Sequence, residues 1–261
     1  GMTAQGEWKG IRFSASLCLA NGSPAWFWHV VLENTLAKEE TVDLIHTQDL
    51  GLAQYWAVRI NEYYTSHYID HSVLSHKERG FVLASRQNLP MGGRNPWTVI
   101  GALGKGIAYA TDALQFHGLA ARAGQAAVGL TKGLPGARLQ HEHSMAAIQE
   151  SPMKLKPGAE IKTGFFGWFE ENHPAATSAA DLVFVGTLEG HAVEPPDTQV
   201  VAAARDHVVR ADQRGEGDEA CQRVLRLGLR PVPGPETTAA WPRIDAVGLR
   251  HAKHRGLPDR G

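Results

Sequence analysis

The chain has 261 residues, of which 43% are hydrophobic and 20% charged, a balance typical of a globular protein rather than a disordered one. Its 26 basic and 27 acidic residues leave a net charge of -1, which excludes the positive surface of a nucleic-acid-binding or membrane-surface protein. The longest apolar stretches are far shorter than the ~20 residues that a membrane-spanning helix needs. Two cysteines, Cys18 and Cys221, are too few for a disulfide scaffold. We therefore expect a cytoplasmic protein without nucleic-acid or membrane partners.

Aromatic and basic residues are distributed unevenly along the chain. Of the 20 aromatic residues, 19 lie in residues 1–200 and only Trp241 follows. Residues 1–200 hold 8 Lys and 7 Arg, whereas the remainder holds 1 Lys and 10 Arg. Because aromatic side chains supply much of a protein core, we predict a folded domain over residues 1–190 and a linker with a divergent Arg-rich tail over residues 191–261. The tail fits either an out-of-frame translation of a GC-rich gene or a divergent linker with a local helix at 218–227.

Strands separated by tight turns dominate the predicted secondary structure. Residues 11–19 alternate apolar and polar side chains with the period of a half-buried strand, and Asn21 and Gly22 then form a hairpin signal. Helices are predicted only over 55–68, where an ordered loop is the alternative, and over 182–188, after a capping box that begins at Ser178. The fold class is therefore all-β, a sandwich or a barrel with one or two short helices. The remaining predicted strands are 26–32, 41–47, 80–86, 98–103, 106–111, 139–149 and 159–169.

Two segments carry the mixture of polar and aromatic side chains that binds sugars. Residues 61–71 are dense in tyrosine, histidine and carboxylate groups, and an interface or core-capping segment is the alternative interpretation. Residues 86–97 turn on paired glycines and present guanidinium, amide and indole groups. The alternative there is a structural loop whose side chains bond to its own backbone. No catalytic residue is predicted, and the predicted substrate-binding residues are Glu62, Tyr64, His67, Asp70, Arg86, Gln87, Asn88, Arg94, Asn95 and Trp97.

Residues 139–145 contain the most metal-like pattern in the chain. On a strand, His141 and His143 would project from one face, as the two histidines of a cupin barrel do when they bind a divalent metal. The flanking spacings depart from the cupin pattern, because four residues separate Gly136 from His141 and six separate His143 from Glu150. Two histidines on a polar sheet face are the simpler interpretation. A cupin-like metal-dependent enzyme is the alternative function.

Six stretches of the chain form a pattern that is specific when taken together: 42–53, 57–71, 83–97, 109–118, 139–149 and 164–182. They resemble the N-terminal β-sandwich region of glycoside hydrolase family 94, formerly glycosyltransferase family 36, and most of all its 1,2-β-glucan-acting branch. The resemblance implies a large two-sheet sandwich, called a supersandwich, similar to galactose mutarotase folds. In the family this sandwich precedes an (α/α)6 barrel, where a catalytic Asp protonates the glycosidic oxygen while phosphate attacks the anomeric carbon.

The resemblance implies a non-catalytic, carbohydrate-associated domain, because the likeness fades after about residue 190 and includes none of the barrel. In the family the sandwich supports the barrel and contributes to subunit contacts, and its loops form part of the rim of the substrate site. Residues 57–71 and 83–97 are the expected loops. We therefore expect a β-glucan oligosaccharide as ligand, a homodimer, and no cofactor, with phosphate as a co-substrate of the full-length enzyme only. The resemblance also weakens the metal alternative, since members of the family need no metal.

Overall fold

The computed structural model describes residues 2–140 and 143–188, together with the backbone of residues 225–231. Strands dominate this part of the chain and the helices are short, so the predicted all-β class is confirmed. The strands are β1 (Met2–Trp8), β2 (Ile11–Leu19), β3 (Ala25–Asn34), β4 (Glu40–Asp49), β5 (Ile69–His76), β6 (Gly80–Gln87), β7 (Trp97–Ala102), β8 (Gly106–Asp112), β9 (Ser144–Glu150), β10 (Met153–Leu155), β11 (Glu160–Glu170) and β12 (Leu225–Pro231). The helices are α1 (Tyr55–Ser66), α2 (Ala113–His117), α3 (Val128–Lys132) and α4 (Leu182–Thr187), with 3-10 turns at Leu119–Ala123 and Ala179–Asp181.

The strands form two halves that are joined at one residue pair. The first half has the order β1-β2-β3-β11-β7-β6, and β5 pairs with β6 at its end. The second half has the order β8-β9-β4-β10, and β12 also pairs with β4. All pairs within each half are antiparallel, whereas the halves are linked through the parallel pair of Gly80 in β6 with Gly106 in β8. The two halves therefore meet at these two glycines.

The sheet junction has no room for side chains. A Cβ atom at Gly80 would lie 2.2 Å from the carbonyl oxygen of Gly106, and one at Gly106 would lie 2.6 Å from that of Phe81. Gly80 also has a φ angle of 67°, in the left-handed region that glycine adopts without steric cost. Both positions therefore require glycine.

The core lies between the two halves. Leu32, Leu83 and Ile100 of the first half belong to the same buried cluster as Leu44 and Ile148 of the second. Burial of such side chains is the main favourable contribution to folding. The arrangement confirms the predicted two-sheet sandwich.

Helices cover the outer surfaces of both halves. Val185 of α4 packs on a cluster that includes Phe27 and Phe166 of the first half. Phe116 of α2 packs on Ile45 of the second half. Both outer surfaces are thus partly buried, which explains why several strands are apolar on both faces. In the described ranges, none of the helices combines the length and the apolar character needed to cross a bilayer.

Most predicted strands are present with bounds that differ by a few residues, but the strand predicted over 139–149 begins only at Ser144. Its partner β8 ends at Asp112, which pairs with Ser144 and caps α2, so the antiparallel pairing of β9 with β8 begins at Ser144. Residues 55–66 form α1, in agreement with the helical rather than the loop interpretation. The sequence missed strands β1, β5, β10 and β12 and helices α2 and α3.

Strand β12 belongs to the predicted tail yet pairs with β4 from Leu225 opposite Gln48 to Pro231 opposite Val42. The helix predicted at 218–227 is wrong at its end, because residues 225–227 lie in this strand. Residues 218–224 lie outside the described part of the chain. The domain division at residue 190 stays a prediction.

Candidate functional site

Polar residues from both halves of the sandwich meet at one of its ends. Strand β4 ends at Asp49 beside the start of β9, and Asp70 is the second residue of β5. Buried His71, the residue after Asp70, connects β5 with β9, because its Nε2 atom lies 2.9 Å from the Oγ atom of Ser144 at the start of β9. The end of the sandwich therefore brings together side chains that are far apart in sequence.

Five side chains at this end, Asp49, Glu62, Asp70, Arg138 and His143, form what we call the end cluster. The Nε2 atom of His143 lies 3.7 Å from Asp49 Oδ1 and 3.9 Å from Glu62 Oε1. The Nη2 atom of Arg138 donates to Asp70 Oδ1 at 2.5 Å. The exposed fractions of the five side chains lie between 26% and 49%. The end cluster is thus ordered by its own contacts and remains accessible to a ligand.

A kink in α1 positions Glu62 in the end cluster. Asn61 leaves the helical conformation, with φ of -155° and ψ of 82°. Its Oδ1 atom then accepts from the backbone N–H of Tyr64 at 3.0 Å, as an N-cap side chain does. At the end of the helix, Gln140 Nε2 donates to the carbonyl oxygen of His67 at 2.8 Å. These contacts place the second half of α1 over the end cluster.

Gln87, a predicted ligand contact, is fully buried beneath α1. Its Nε2 atom donates to the carbonyl oxygens of Thr65 at 3.0 Å and Gly51 at 3.4 Å, and its Oε1 atom accepts from the N–H of Leu89 at 3.0 Å. The prediction is wrong, because a buried amide with its bonding groups engaged in the protein cannot contact a ligand. Gln87 instead holds three segments together beneath the site.

Trp97 is also fully buried and is wrong as a predicted ligand contact. Its Nε1 atom donates to Thr177 Oγ1 at 3.0 Å, and its ring stacks on His173 with centroids 5.0 Å apart. Arg86 lies nearby and donates to the carbonyl oxygens of His173 at 2.7 Å and Pro174 at 3.0 Å. Both side chains anchor the segment that leads from β11 to α4.

The other predicted contacts of residues 86–97 are engaged within this loop or with the segment that follows β11. Arg94 forms an ion pair with Glu171, and Asn88 accepts from Arg86. Asn95 Nδ2 donates to the carbonyl oxygen of Gln87 at 3.0 Å. These contacts favour the alternative interpretation of residues 86–97 as a structural loop.

The structure brings Glu62, Asp70 and the backbone of His67 to the end cluster, whereas Tyr64 lies on the exposed side of α1 and packs edge-on against Tyr68. Sequence reasoning missed Asp49, Arg138 and Gln140. Asp49 ends the mostly buried strand β4, and Arg138 lies two residues after a turn that ends at Gly136, so neither stands in a pattern that marks a site.

The metal alternative rests on His141 and His143. His143 precedes β9, which begins at Ser144. His141 lies outside the described residues. Within the ranges that the structure describes, no group of three or more His, Cys, Asp or Glu side chains is arranged to hold a metal ion.

Three buried ionisable groups have strongly shifted pKa values. Burial lowers the pKa of His46 to about 4, and it does the same for His71, where the nearby Arg138 adds to the effect. Burial raises the pKa of Glu150 to about 7, against the opposing hydrogen bonds from Thr163 and the backbone of Gly104. The fold therefore favours the neutral form of each group.

Glu150→Gln should stabilise the protein more at pH 8 than at pH 4.5. The carboxyl group has a folded pKa raised from 4.5 to about 7, so its contribution to stability is complete below pH 4.5 and is lost as the pH rises through 7. At about 1.4 kcal/mol per pKa unit, the difference between the two pH values is roughly 3 kcal/mol. The buried His46 and His71 have the opposite effect, because the protein loses stability as the pH falls from 6.5 toward their lowered pKa values of about 4. Both histidines are present in the wild type and in the variant, so their effect cancels in the comparison. Urea unfolding of both proteins at both pH values measures this difference, and a pH-independent difference would contradict the assignment.

Comparison with known proteins decides the family. The sequence profile described as the SOGP N-terminal domain matches residues 1–167. The chain belongs to the SOGP N-terminal domain family. This SOGP N-terminal domain is 35% identical over 176 residues to a protein of Listeria innocua serovar 6a named 1,2-beta-oligoglucan phosphorylase. The match covers 66% of the chain but 15% of that relative. The predicted resemblance to the N-terminal domain of glucan phosphorylase-like proteins is confirmed.

Among solved structures, a polysaccharide lyase matches the SOGP N-terminal domain with a TM-score of 0.40 and 12% sequence identity. The match covers 66% of the chain and 22% of the lyase. A likeness at this level carries no information about function.

Proposed function

We propose that this SOGP N-terminal domain is a non-catalytic, carbohydrate-associated domain of a β-oligoglucan phosphorylase-like protein, and that its end cluster contacts a gluco-oligosaccharide. The observation that carries the proposal is the 35% identity over 176 residues to a protein named 1,2-beta-oligoglucan phosphorylase. The matched region is 15% of that relative. This identity supports a role in carbohydrate binding.

The end cluster has the chemistry that sugar hydroxyl groups require. The carboxylates of Asp49 and Glu62 accept hydrogen bonds, whereas the guanidinium of Arg138 donates them. Bonds that involve an ionised partner are stronger than neutral ones. Because these side chains are partly exposed and already held in place, they need little ordering when a ligand binds. This combination favours a polyhydroxylated ligand.

The same geometry supports a non-catalytic role. Cleavage of a glycosidic bond by two carboxyl groups requires both of them to flank that bond. Here Asp70 is engaged by Arg138, while Glu62 lies beside His143. The carboxylates of Asp70 and Glu62 therefore contact different side chains. A cytoplasmic location stays a prediction.

The purified chain is expected to bind β-1,2-gluco-oligosaccharides and to release no glucose 1-phosphate from them when phosphate is added. Isothermal titration measures the binding, and an enzymatic assay for glucose 1-phosphate measures the reaction. Glu62→Gln should weaken binding about tenfold, because a hydrogen bond to a charged group contributes about 1.5–3 kcal/mol. Phosphate-dependent release of glucose 1-phosphate would refute the non-catalytic role.

The matched control is Glu171→Gln, which removes an exposed carboxylate that pairs with Arg94 outside the end cluster. It should leave the affinity for oligosaccharide unchanged. Equal loss of affinity in Glu62→Gln and Glu171→Gln would show that the end cluster is not the binding site.

A further inference from the structure

Strand β4 has one edge that is covered by the predicted tail. Residues 45–48 of β4 pair with β9 and with β12 at the same time, so β9 and β12 lie on opposite edges of β4. Val42 likewise pairs both with Met153 of β10 and with Pro231 of β12, which places β10 on the same edge as β9. In the described part of the chain, β12 is therefore the only strand on the other edge. We call this other edge, over residues 42–48, the β4 edge.

The β4 edge is unsuited to contact with water. Both faces of β4 are covered, since Leu44 belongs to the core between the two halves and Ile45 packs with Phe116 of α2. With β12 in place, every residue from 42 to 48 is at most 2% exposed. A long buried strand that has free N–H and C=O groups along one edge is a template for pairing with another strand. The β4 edge therefore needs an occupant.

The occupant in this chain comes from outside the family region. The SOGP N-terminal domain profile matches residues 1–167, whereas β12 begins at Leu225. The three leucines of β12 occupy every second position from Leu225 to Leu229, and arginine or glycine stands between them. This period of two is typical of a strand with one apolar face. Residues 225–231 are therefore suited to the β4 edge by sequence as well as by position.

One residue pair gives the β4 edge a preference for a basic partner. The register of the two strands places Arg230 opposite Asp43. Asp43 is fully buried, and its Oδ2 atom accepts from Gln149 Nε2 at 2.6 Å. Opposite charges at directly paired positions stabilise a sheet, whereas like charges there destabilise it. The other arginine of β12, Arg226, lies opposite the uncharged Thr47.

We propose that the β4 edge is a strand-addition site at which the SOGP N-terminal domain binds a segment from outside the family region, and that residues 225–231 are its occupant in this chain. In this mode of recognition, backbone hydrogen bonds supply the affinity and side chains at alternate positions supply the selectivity. The segment that the site selects has leucine at every second position and a basic residue opposite Asp43. The proposal does not depend on oligosaccharide binding at the end cluster.

Hydrogen exchange of the full chain, measured by mass spectrometry, tests the proposal. Leu227→Pro together with Gly228→Pro removes two adjacent N–H donors, one of which is directed toward β4 in an antiparallel pair. Amides of the β4 edge should then exchange at least about tenfold faster than in the wild type, because the strand that protects them opens. A synthetic peptide of residues 225–231 should restore slow exchange. Exchange in β3, which pairs with β2 and β11, should stay unchanged and shows that the variant folds.

Arg230→Glu is a milder variant, and Arg226→Glu is its matched control because it makes the same charge change in the same strand. Arg230→Glu should speed exchange at the β4 edge roughly tenfold, since two acidic residues then lie opposite each other, whereas Arg226→Glu should stay close to the wild type. Equal exchange at the β4 edge in the wild type, the double variant and Arg230→Glu would overturn the proposal. A double variant that forms dimers and does not bind the peptide would also overturn it, because a second copy would then be the occupant.

Discussion

Gly80→Ala is expected to lower the free energy of unfolding by more than about 4 kcal/mol, a loss that single substitutions exceed only when they disrupt a specific structural feature. The new Cβ would lie 2.2 Å from the carbonyl oxygen of Gly106. That oxygen belongs to the backbone at the junction of the two halves, so it cannot rotate away as a side chain would. The two halves must therefore separate at their junction. Urea unfolding followed by tryptophan fluorescence measures the change.

Gly22→Ala is the matched control for this prediction. Gly22 has a φ angle of 73°, close to that of Gly80, but a Cβ there would meet nothing within 4 Å. The control should therefore cost only the ~1–2 kcal/mol of the left-handed conformation. Equal destabilisation by both substitutions would show that the junction relaxes without strain.

Trp97→Ala is expected to destabilise the protein by about 3–5 kcal/mol, the range for removing a buried aromatic side chain. Its ring packs against His173 and Phe184, so the substitution leaves a cavity beneath the segment that carries α4. Thr177→Val removes only the hydrogen bond to the indole and should cost about 1 kcal/mol. Thermal and urea unfolding of the two variants measure both losses. A Trp97→Ala protein of normal stability but with weaker oligosaccharide binding would contradict the structural role.

The strands that were predicted correctly have patterns that arise within a single strand. In β2, Ile11 and Ala15 of the predicted apolar face are buried while Arg12 of the opposite face is exposed, so the alternation marks the strand even though Cys18 is buried as well. Strand β5 was missed because residues such as Asp70 and His71 are polar. It pairs with β6 in a hairpin closed by residues 77–79, none of which is a turn-forming Gly, Pro, Asn or Asp.

The candidate site was also predicted only in part from local sequence patterns. Residues 61–71 are unusual enough in composition to mark the surroundings of Glu62 and Asp70, and both belong to the end cluster. Their partners Arg138 and His143 come from another part of the chain and are brought there by the pairing of β8 with β9. The amide of Gln87 looks like a ligand contact in sequence, but burial decides that it is part of the framework.

The sequence by itself determined the all-β class and the family, because strand alternation and turn residues are local properties and because the six stretches of likeness cover most of residues 42–182. Only the tertiary structure decided which polar and aromatic side chains face solvent. The physical reason is that exposure depends on the packing of two sheets against each other and of α1 and α4 against them. That packing buries Trp97 and Gln87, assembles the end cluster and leaves Ile60 of α1 at the surface.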